Sequence, residues 1–360
     1  MHVIVVPYRD GYFYREFGPA VRDLQFIEIL SQKFSMTVIN RPVSVYERFK
    51  KKASGNAFSI DSIDMVDVTS YDLIGPLKGR SWARSCYKNI VSEVLKKYRS
   101  EKILFLDFSP FSDFAYVSSY SNVTYWYDMI DNFSIHNRYS EIERKLVKNK
   151  YSEVGSYANI ITGVSETGLK CILGNTGARF VVPNGVFQSP YHASGEDCSI
   201  NAAYDFGFIG FVTNKFDVEF VNKLSEKYSV AIWGKCFDKK VLKFLSSSID
   251  YNGAFNYKDI PNVMKMFKVG LLPYKKELLH DESPLKMYEY FKYSRPCVAS
   301  VQYEIKSPYY LDYTDVKNDD LEKTVQWYLS VSGRDKIRDQ IEEGWYLANR
   351  IDAVLQYTLG

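Results

Sequence analysis

The stretch DESPLKMYEYFKYSRPCVAS, Asp281 to Ser300, sets a cation and a carboxylate, Lys286 and Glu289, three residues apart just inside a predicted helix start. Two acids, Asp281 and Glu282, precede it. Ser283 reads as the N-cap and Pro284 as the first helical residue. Directly upstream, VGLLPYKK (Val269 to Lys276) reads as a buried strand with a polar exit that includes Tyr274. Open α/β sheets take ligands beyond the carboxyl ends of their strands. A helix beginning there offers free N–H groups and a dipole that attract anions. Lys286 adds a full charge, which suits a diphosphate. Glu289 lies on nearly the same helix face and could accept from two adjacent hydroxyls, as a ribose presents them. The competing reading is an exposed lysine–glutamate pair with no ligand.

Working outward, the same punctuation recurs. GFIGF (Gly207 to Phe211) ends a predicted strand at Gly210, where a missing Cβ permits close approach of a ligand or of a packed helix. IWGK (Ile232 to Lys235) places a glycine and Lys235 after the next strand, in a donor contact or a solvated turn. Helical spacing is read in DVEFVNKLSEKY, DIPNVMKMFK, DDLEKTVQWYLS and the whole of DKIRDQIEEGWYLANRIDAVLQYTL, and CVASV is the last clear strand. The first half alternates in the same way. VIVVP, SMTVIN, YDLIGP, KILFLDFSP, NVTYWYDMID and ANIITGVSE read as strands. PAVRDLQFIEILSQKF, SWARSCYKNIVSEVLKKYRS and EIERKLVKNKYSEVGSYA read as helices. Alternation throughout predicts parallel β-α-β units. VVPNGVFQSPYHASGEDCSINAA loses apolar periodicity and reads as an interdomain connection, with Asn184-Gly185 as a turn in it.

Composition agrees with a packed globule. Of 360 residues, 46% are hydrophobic and 25% charged, and the formal net charge of +3 does not argue for nucleic acid. The 30 tyrosines and 23 phenylalanines read as core filling. Five cysteines (Cys86, Cys171, Cys198, Cys236, Cys297) without a CxxC pair predict reduced thiols in a reducing compartment. The N-terminal apolar run is too short for a signal core or a membrane span.

Four segments in order, GFIGFVTNKFD, VAIWGK, YNGAFNYKDIPNVMKMFKVGLLPYKK and SPLKMYEYFKYSRPCVAS, resemble the C-terminal domain of bacterial GT-B glycosyltransferases. The likeness is greatest to those of surface-polysaccharide synthesis, such as teichuronic-acid and xanthan glucuronosyltransferase-like enzymes. It covers roughly 205–301. The resemblance implies an α/β GT-B fold of two Rossmann-like domains facing across a cleft, with the C-terminal helix bracing the first. The boundaries expected are 1–185 for an acceptor-binding domain, 200–335 for a nucleotide-sugar domain and 336–360 for the returning helix. It further implies that Lys286 contacts the donor diphosphate, Glu289 the ribose and Asp281 the donor sugar. Ser283, Pro284, Leu285, Gly210, Phe211, Lys235 and Tyr274 complete the expected donor site. Ser294 stands where the family has a turn glycine.

In the first half, the family's YD-x-x-DD stretch is matched by YDMIDN, with Asp128, Asp131 and then His136. An inverting transfer needs a base for the acceptor hydroxyl, and Asp131, then Asp128, are the expected candidates. With retention, Asp131 would position the acceptor or stabilise oxocarbenium charge. The loop YRDGYFYREFG (Tyr8 to Gly18) offers Gly11 for backbone approach and Arg9 and Arg15 for an anionic acceptor; His136 is a further acceptor or cleft residue. YERFKKKASG (Tyr46 to Gly55) reads as an exposed charge run, with weak contact to an anionic membrane as the alternative.

The expected protein is thus a glycosyltransferase of hexosyltransferase type. It moves a sugar from a nucleotide donor, read as UDP-linked, to a glycan or lipid-linked acceptor, without cofactor, metal or nucleic acid. Its expected place is the cytoplasm, including the inner face of the plasma membrane. A sugar-nucleotide 2-epimerase of the same fold and a non-catalytic nucleotide- or glycan-binding module are the alternatives.

Overall fold

A computed structural model describes residues 1–9, 11–44, 63–70, 86–189 and 201–359. The predicted strand YDLIGP, the basic run Tyr46–Gly55 and Cys198 lie outside the described residues. The chain divides into two compact units. The first comprises Met1–Pro183, His280–Glu282 and Ile351–Gly360, and the second Asn184–Leu279 and Ser283–Arg350.

The first unit holds β1 (His2–Val6), β2 (Ser35–Ile39), β3 (Val43–Ser44), β4 (Ile63–Val66), β5 (Thr69–Ser70), β6 (Ile103–Asp107), β7 (Val123–Met129), β8 (Ile160–Gly163) and β9 (Ala178–Val181). Seven of these form one sheet in the order β4-β2-β1-β6-β7-β8-β9, and β3 pairs with β5 separately. Every pairing is parallel. Parallel sheets are covered on both faces, and HVIVV and ILFLD are accordingly buried at every position. The longest crossing helix, Glu141–Tyr157, starts with a capping box in which Ser140 and Glu143 satisfy each other's backbone N–H groups.

The second unit holds β10 (Tyr204–Ile209), β11 (Val230–Trp233), β12 (Ile249–Gly253), β13 (Phe267–Leu272), β14 (Cys297–Ala299) and β15 (Tyr310–Asp312). They form a six-stranded sheet in the order β12-β11-β10-β13-β14-β15, again all parallel.

Several expectations shift. The loop after β1 contains a helix, Gly11–Phe17. The segments β9 and β15, each at a sheet edge, escaped the sequence reading because four and three residues are too few to show a period. The expected long C-terminal helix is broken into Asp335–Arg338, a 3-10 turn at Glu343–Trp345 and Leu347–Leu359. Tyr346 there leaves the helix to form an isolated parallel bridge with Val186. Among the described residues no helix is long and apolar enough to cross a membrane.

Candidate functional site

In the second unit the strand order reverses between β10 and β13. Connections leaving those two strands run to opposite faces, and ligands enter the crevice opened at such a point. The loops beyond both strands converge there. Gly210 follows β10 with φ +113°, a conformation that favours glycine, and a Cβ on it would lie 2.9 Å from both Cε and Nζ of Lys286. Gly234 follows β11 with φ +153°, and its Cβ would fall on the Gly210 carbonyl oxygen. The strand-end glycines thus bring two backbones together and leave room for the lysine.

Lys286 belongs to the helix Leu285–Lys292. Its amine donates to the Tyr274 hydroxyl and lies 4.5 Å from the Phe208 ring centre. Lys215, from the loop after β10, sets its amine 4.9 Å from the centre of the Tyr274 ring. Two ammonium groups therefore gather around one tyrosine at the reversal point. Lys215 was missed by the sequence reading, although it stands in the quoted loop GFIGFVTNKFD, five residues beyond Gly210.

The helix start differs from expectation. Pro284, not Ser283, holds the N-cap position, and no side chain caps the helix. The Ser283 hydroxyl is diverted: it donates to the Glu304 carboxylate and accepts the Asn184 N–H at 3.1 Å. First-turn N–H groups have no intrahelical partner, so the uncapped start at Leu285 and Lys286 keeps donors for an anion. Lys286 and Glu289 do not form an exposed pair. Glu289 is 5% exposed and accepts a hydrogen bond from the Tyr257 hydroxyl. Phe211 packs 5.2 Å from Phe237, and the Lys235 amine lies 5.8 Å from the centre of the Phe237 ring. Ser294 takes φ +56°, the turn conformation for which glycine is usual.

Asp281 makes its contacts within the first unit. It takes φ +58°, and its carboxylate accepts from Asn132 Nδ2 at 2.9 Å. In the same cluster His136 stacks on His280 at 4.6 Å and packs at a tilt against Tyr139 at 4.5 Å. Asp131 is half-buried beside it, its carbonyl accepting from the Tyr151 hydroxyl at 3.2 Å.

Asp128 corrects the sequence reading. It has no exposed surface and accepts two hydrogen bonds from Arg22, both at 2.8 Å, plus one from Thr162 at 2.5 Å. Its charge is spent on a buried ion pair, so it is not the base. The period of β7 turns it into the layer that helix Arg22–Ser31 covers.

The first sheet reverses order between β1 and β6. Arg9, just beyond β1, lies 4.7 Å from the Tyr8 ring and 4.9 Å from the Phe13 ring. The N–H of Arg9 donates to Asp23 at 2.7 Å, and the N–H of Gly11 to Asn40 at 3.2 Å. The use of Gly11 is thus an anchored amide. Asp23, missed from the sequence, is wholly buried, and that burial pushes its carboxyl up to about 6. Among the described residues no group of three or more His, Cys, Asp or Glu side chains could hold a metal ion.

No protein-family model matches the chain, and no curated protein matches it in sequence. Solved structures do. Sucrose-phosphate synthase from Thermosynechococcus elongatus superposes with a TM-score of 0.71 at 9% identity, over 100% of this chain and 99% of that one. The catalytic domain of starch synthase IV from Arabidopsis thaliana, bound to ADP and acarbose, gives 0.59 at 9% identity over 99% and 98%. LpCGTa in complex with UDP gives 0.50 at 9% identity over 99% and 98%. The chain has the GT-B fold. At these identities the likeness establishes architecture, two Rossmann-like α/β units in one chain, and leaves the chemistry to the residues.

Proposed function

We propose that the chain is a glycosyltransferase whose second unit binds a nucleotide-sugar diphosphate. The carrying observation is the convergence of Lys286 and Lys215 on Tyr274, at the uncapped helix start where the strand order reverses. Two ammonium groups and a helix N-terminus neutralise a pyrophosphate, both bound and as it leaves. That makes a divalent cation dispensable in this reading. Glu289, held by Tyr257, takes the ribose hydroxyls on the same helix. ADP and UDP in the starch synthase IV and LpCGTa structures support a nucleotide donor, and UDP remains the choice here.

In this reading the first unit takes a glycan or lipid-linked acceptor, of the kind used in surface-polysaccharide synthesis. Arg9 meets an anionic group of that acceptor, and Asp131 receives the hydroxyl proton. Gly11 holds the loop, and His136 lines the acceptor side. Reaction in the cytoplasm, at the inner membrane face for a lipid-linked acceptor, follows from that substrate pair.

Calorimetric titration with UDP tests the donor site. Lys286→Ala should weaken UDP at least about tenfold, about 1.4 kcal/mol; unchanged affinity removes the diphosphate role. In the same titration Asp131→Asn should bind UDP normally. Sugar transfer by that variant to a lipid-phosphate acceptor should fall at least about a hundredfold, the range for a lost general base. Normal transfer would reject Asp131 as the base.

A further inference from the structure

One stretch of the second unit lies beyond the donor residues: the helix Lys239–Phe244 and the short approach to it that follows Lys235. Between 235 and 245 the chain carries Lys235, Lys239, Lys240 and Lys243 against Asp238 alone. Lys239, Lys240 and Lys243 are exposed, and none has a carboxylate within ion-pair distance among the described residues. Among these charges stand two aromatic rings. Phe237 is 49% exposed, and Phe244, at 71%, is the most exposed large hydrophobic side chain among the described residues.

Backbone slack does not explain that exposure. The N–H of Phe237 donates to the Val212 carbonyl at 2.9 Å, and that of Cys236 to the Tyr251 hydroxyl at 3.1 Å. The Tyr251 hydroxyl donates in turn to the Gly234 carbonyl at 2.8 Å. Asp238 caps the helix through the Lys240 N–H at 3.0 Å, which occupies the only acid of the segment. The Phe244 carbonyl is held by Asn222 Nδ2 at 2.8 Å, and buried Val241 pins the helix to the unit. A groove of about 540 Å³ runs beside Val241 and Phe244, lined also by Lys240, Lys275, Asp217, Glu219 and Asp238.

Rings held out of an ordered backbone and ringed by lysines fit a surface that is apolar a few ångströms down and anionic on top. We propose that this face docks on an anionic lipid bilayer. Phe237 and Phe244 enter the boundary between headgroups and acyl chains, and Lys239, Lys240 and Lys243 meet lipid phosphates. The surface is separate in sequence from the basic run Tyr46–Gly55, and it stands whether or not the chain transfers sugars.

The test is co-sedimentation of the full chain with phosphatidylcholine vesicles and with mixed phosphatidylcholine–phosphatidylglycerol vesicles. The expected result is at least about tenfold tighter binding to the anionic vesicles, lost as salt rises. Two variants, the single Phe244→Ser and the double Lys239→Gln with Lys243→Gln, should each weaken vesicle binding at least about tenfold. Both should keep the wild-type melting temperature and UDP affinity, since these three side chains are exposed and lie outside the donor site. Failure of the wild type to bind anionic vesicles overturns the proposal. Wild-type binding by both variants overturns it as well, by putting the contact elsewhere. Binding of single-stranded RNA through these residues, without vesicle binding, would replace the bilayer with another partner.

Discussion

Asp23 is charged at neutral pH in a place that penalises charge. Burial lifts its carboxyl from 3.8 to about 6, with the Arg9 guanidinium and N–H pulling the other way. The folded state therefore holds this proton more tightly than the unfolded chain. The stabilising contribution is fully present below about pH 4 and is lost as pH rises through about 6. The gap is worth about 3 kcal/mol. Asn at this position keeps an oxygen for the Arg9 N–H and carries no charge. Asp23→Asn should thus be more stable than the wild type at pH 7.5 by about 1–3 kcal/mol and nearly equal to it at pH 4, read by urea denaturation. A variant that loses stability more at pH 7.5 than at pH 4 would show that the charge itself holds the Arg9 loop. Asp128 shows the opposite arrangement, a buried carboxylate fully matched by Arg22 and Thr162. Removing one partner of such a pair strands the other charge. Sequence spacing presented Asp128 and Asp131 alike. Only packing separated the one walled in by Arg22 from the one beside the Tyr151 hydroxyl.

Among the elements, legibility followed the length of the patterned run. Strands buried on both faces, such as β1 and β6, announced themselves as continuous apolar runs. The short strands β9 and β15 did not, because four and three residues are too few to show a period. The helix Leu285–Lys292 was legible, and its first turn was not. Local preference favours serine at the N-cap, yet Glu304 and Asn184 claim Ser283, and the cap position passes to Pro284. The consequence is chemical: a helix start without a side-chain cap sits beside Lys286. The glycines at the ends of β10 and β11 were visible as residues. Their reason, backbone contact between strand ends and clearance for the Lys286 amine, is tertiary. Lys215 was overlooked for the same cause, since its distance from Tyr274 depends on how two loops fold back.

At the scale of the whole chain, the C-terminal residues from Ile351 count with the first unit although they follow the second in sequence. Ile351, Val354 and Leu355 are buried, Asp352 pairs with Lys33, and Tyr357 packs 5.3 Å from Phe180. Ending the chain after Arg350 removes three buried aliphatic side chains from the first unit, each worth about 2–5 kcal/mol when lost from a core. Hydrogen exchange should then show deprotection of β1, β2 and β9, with β10, β11 and β13 unchanged and UDP affinity retained. Equal deprotection of both sheets would mean that the two units unfold together. The sequence by itself determined the parallel α/β architecture, because alternating buried strands and amphipathic helices admit few other layouts, and it brought Lys286 to a strand-to-helix junction. Tertiary structure alone decided which acids are spent in ion pairs, which side chains the reversal points gather, and where Asp281 belongs. Those outcomes depend on contacts between residues far apart in the chain, and local spacing carries no information about them.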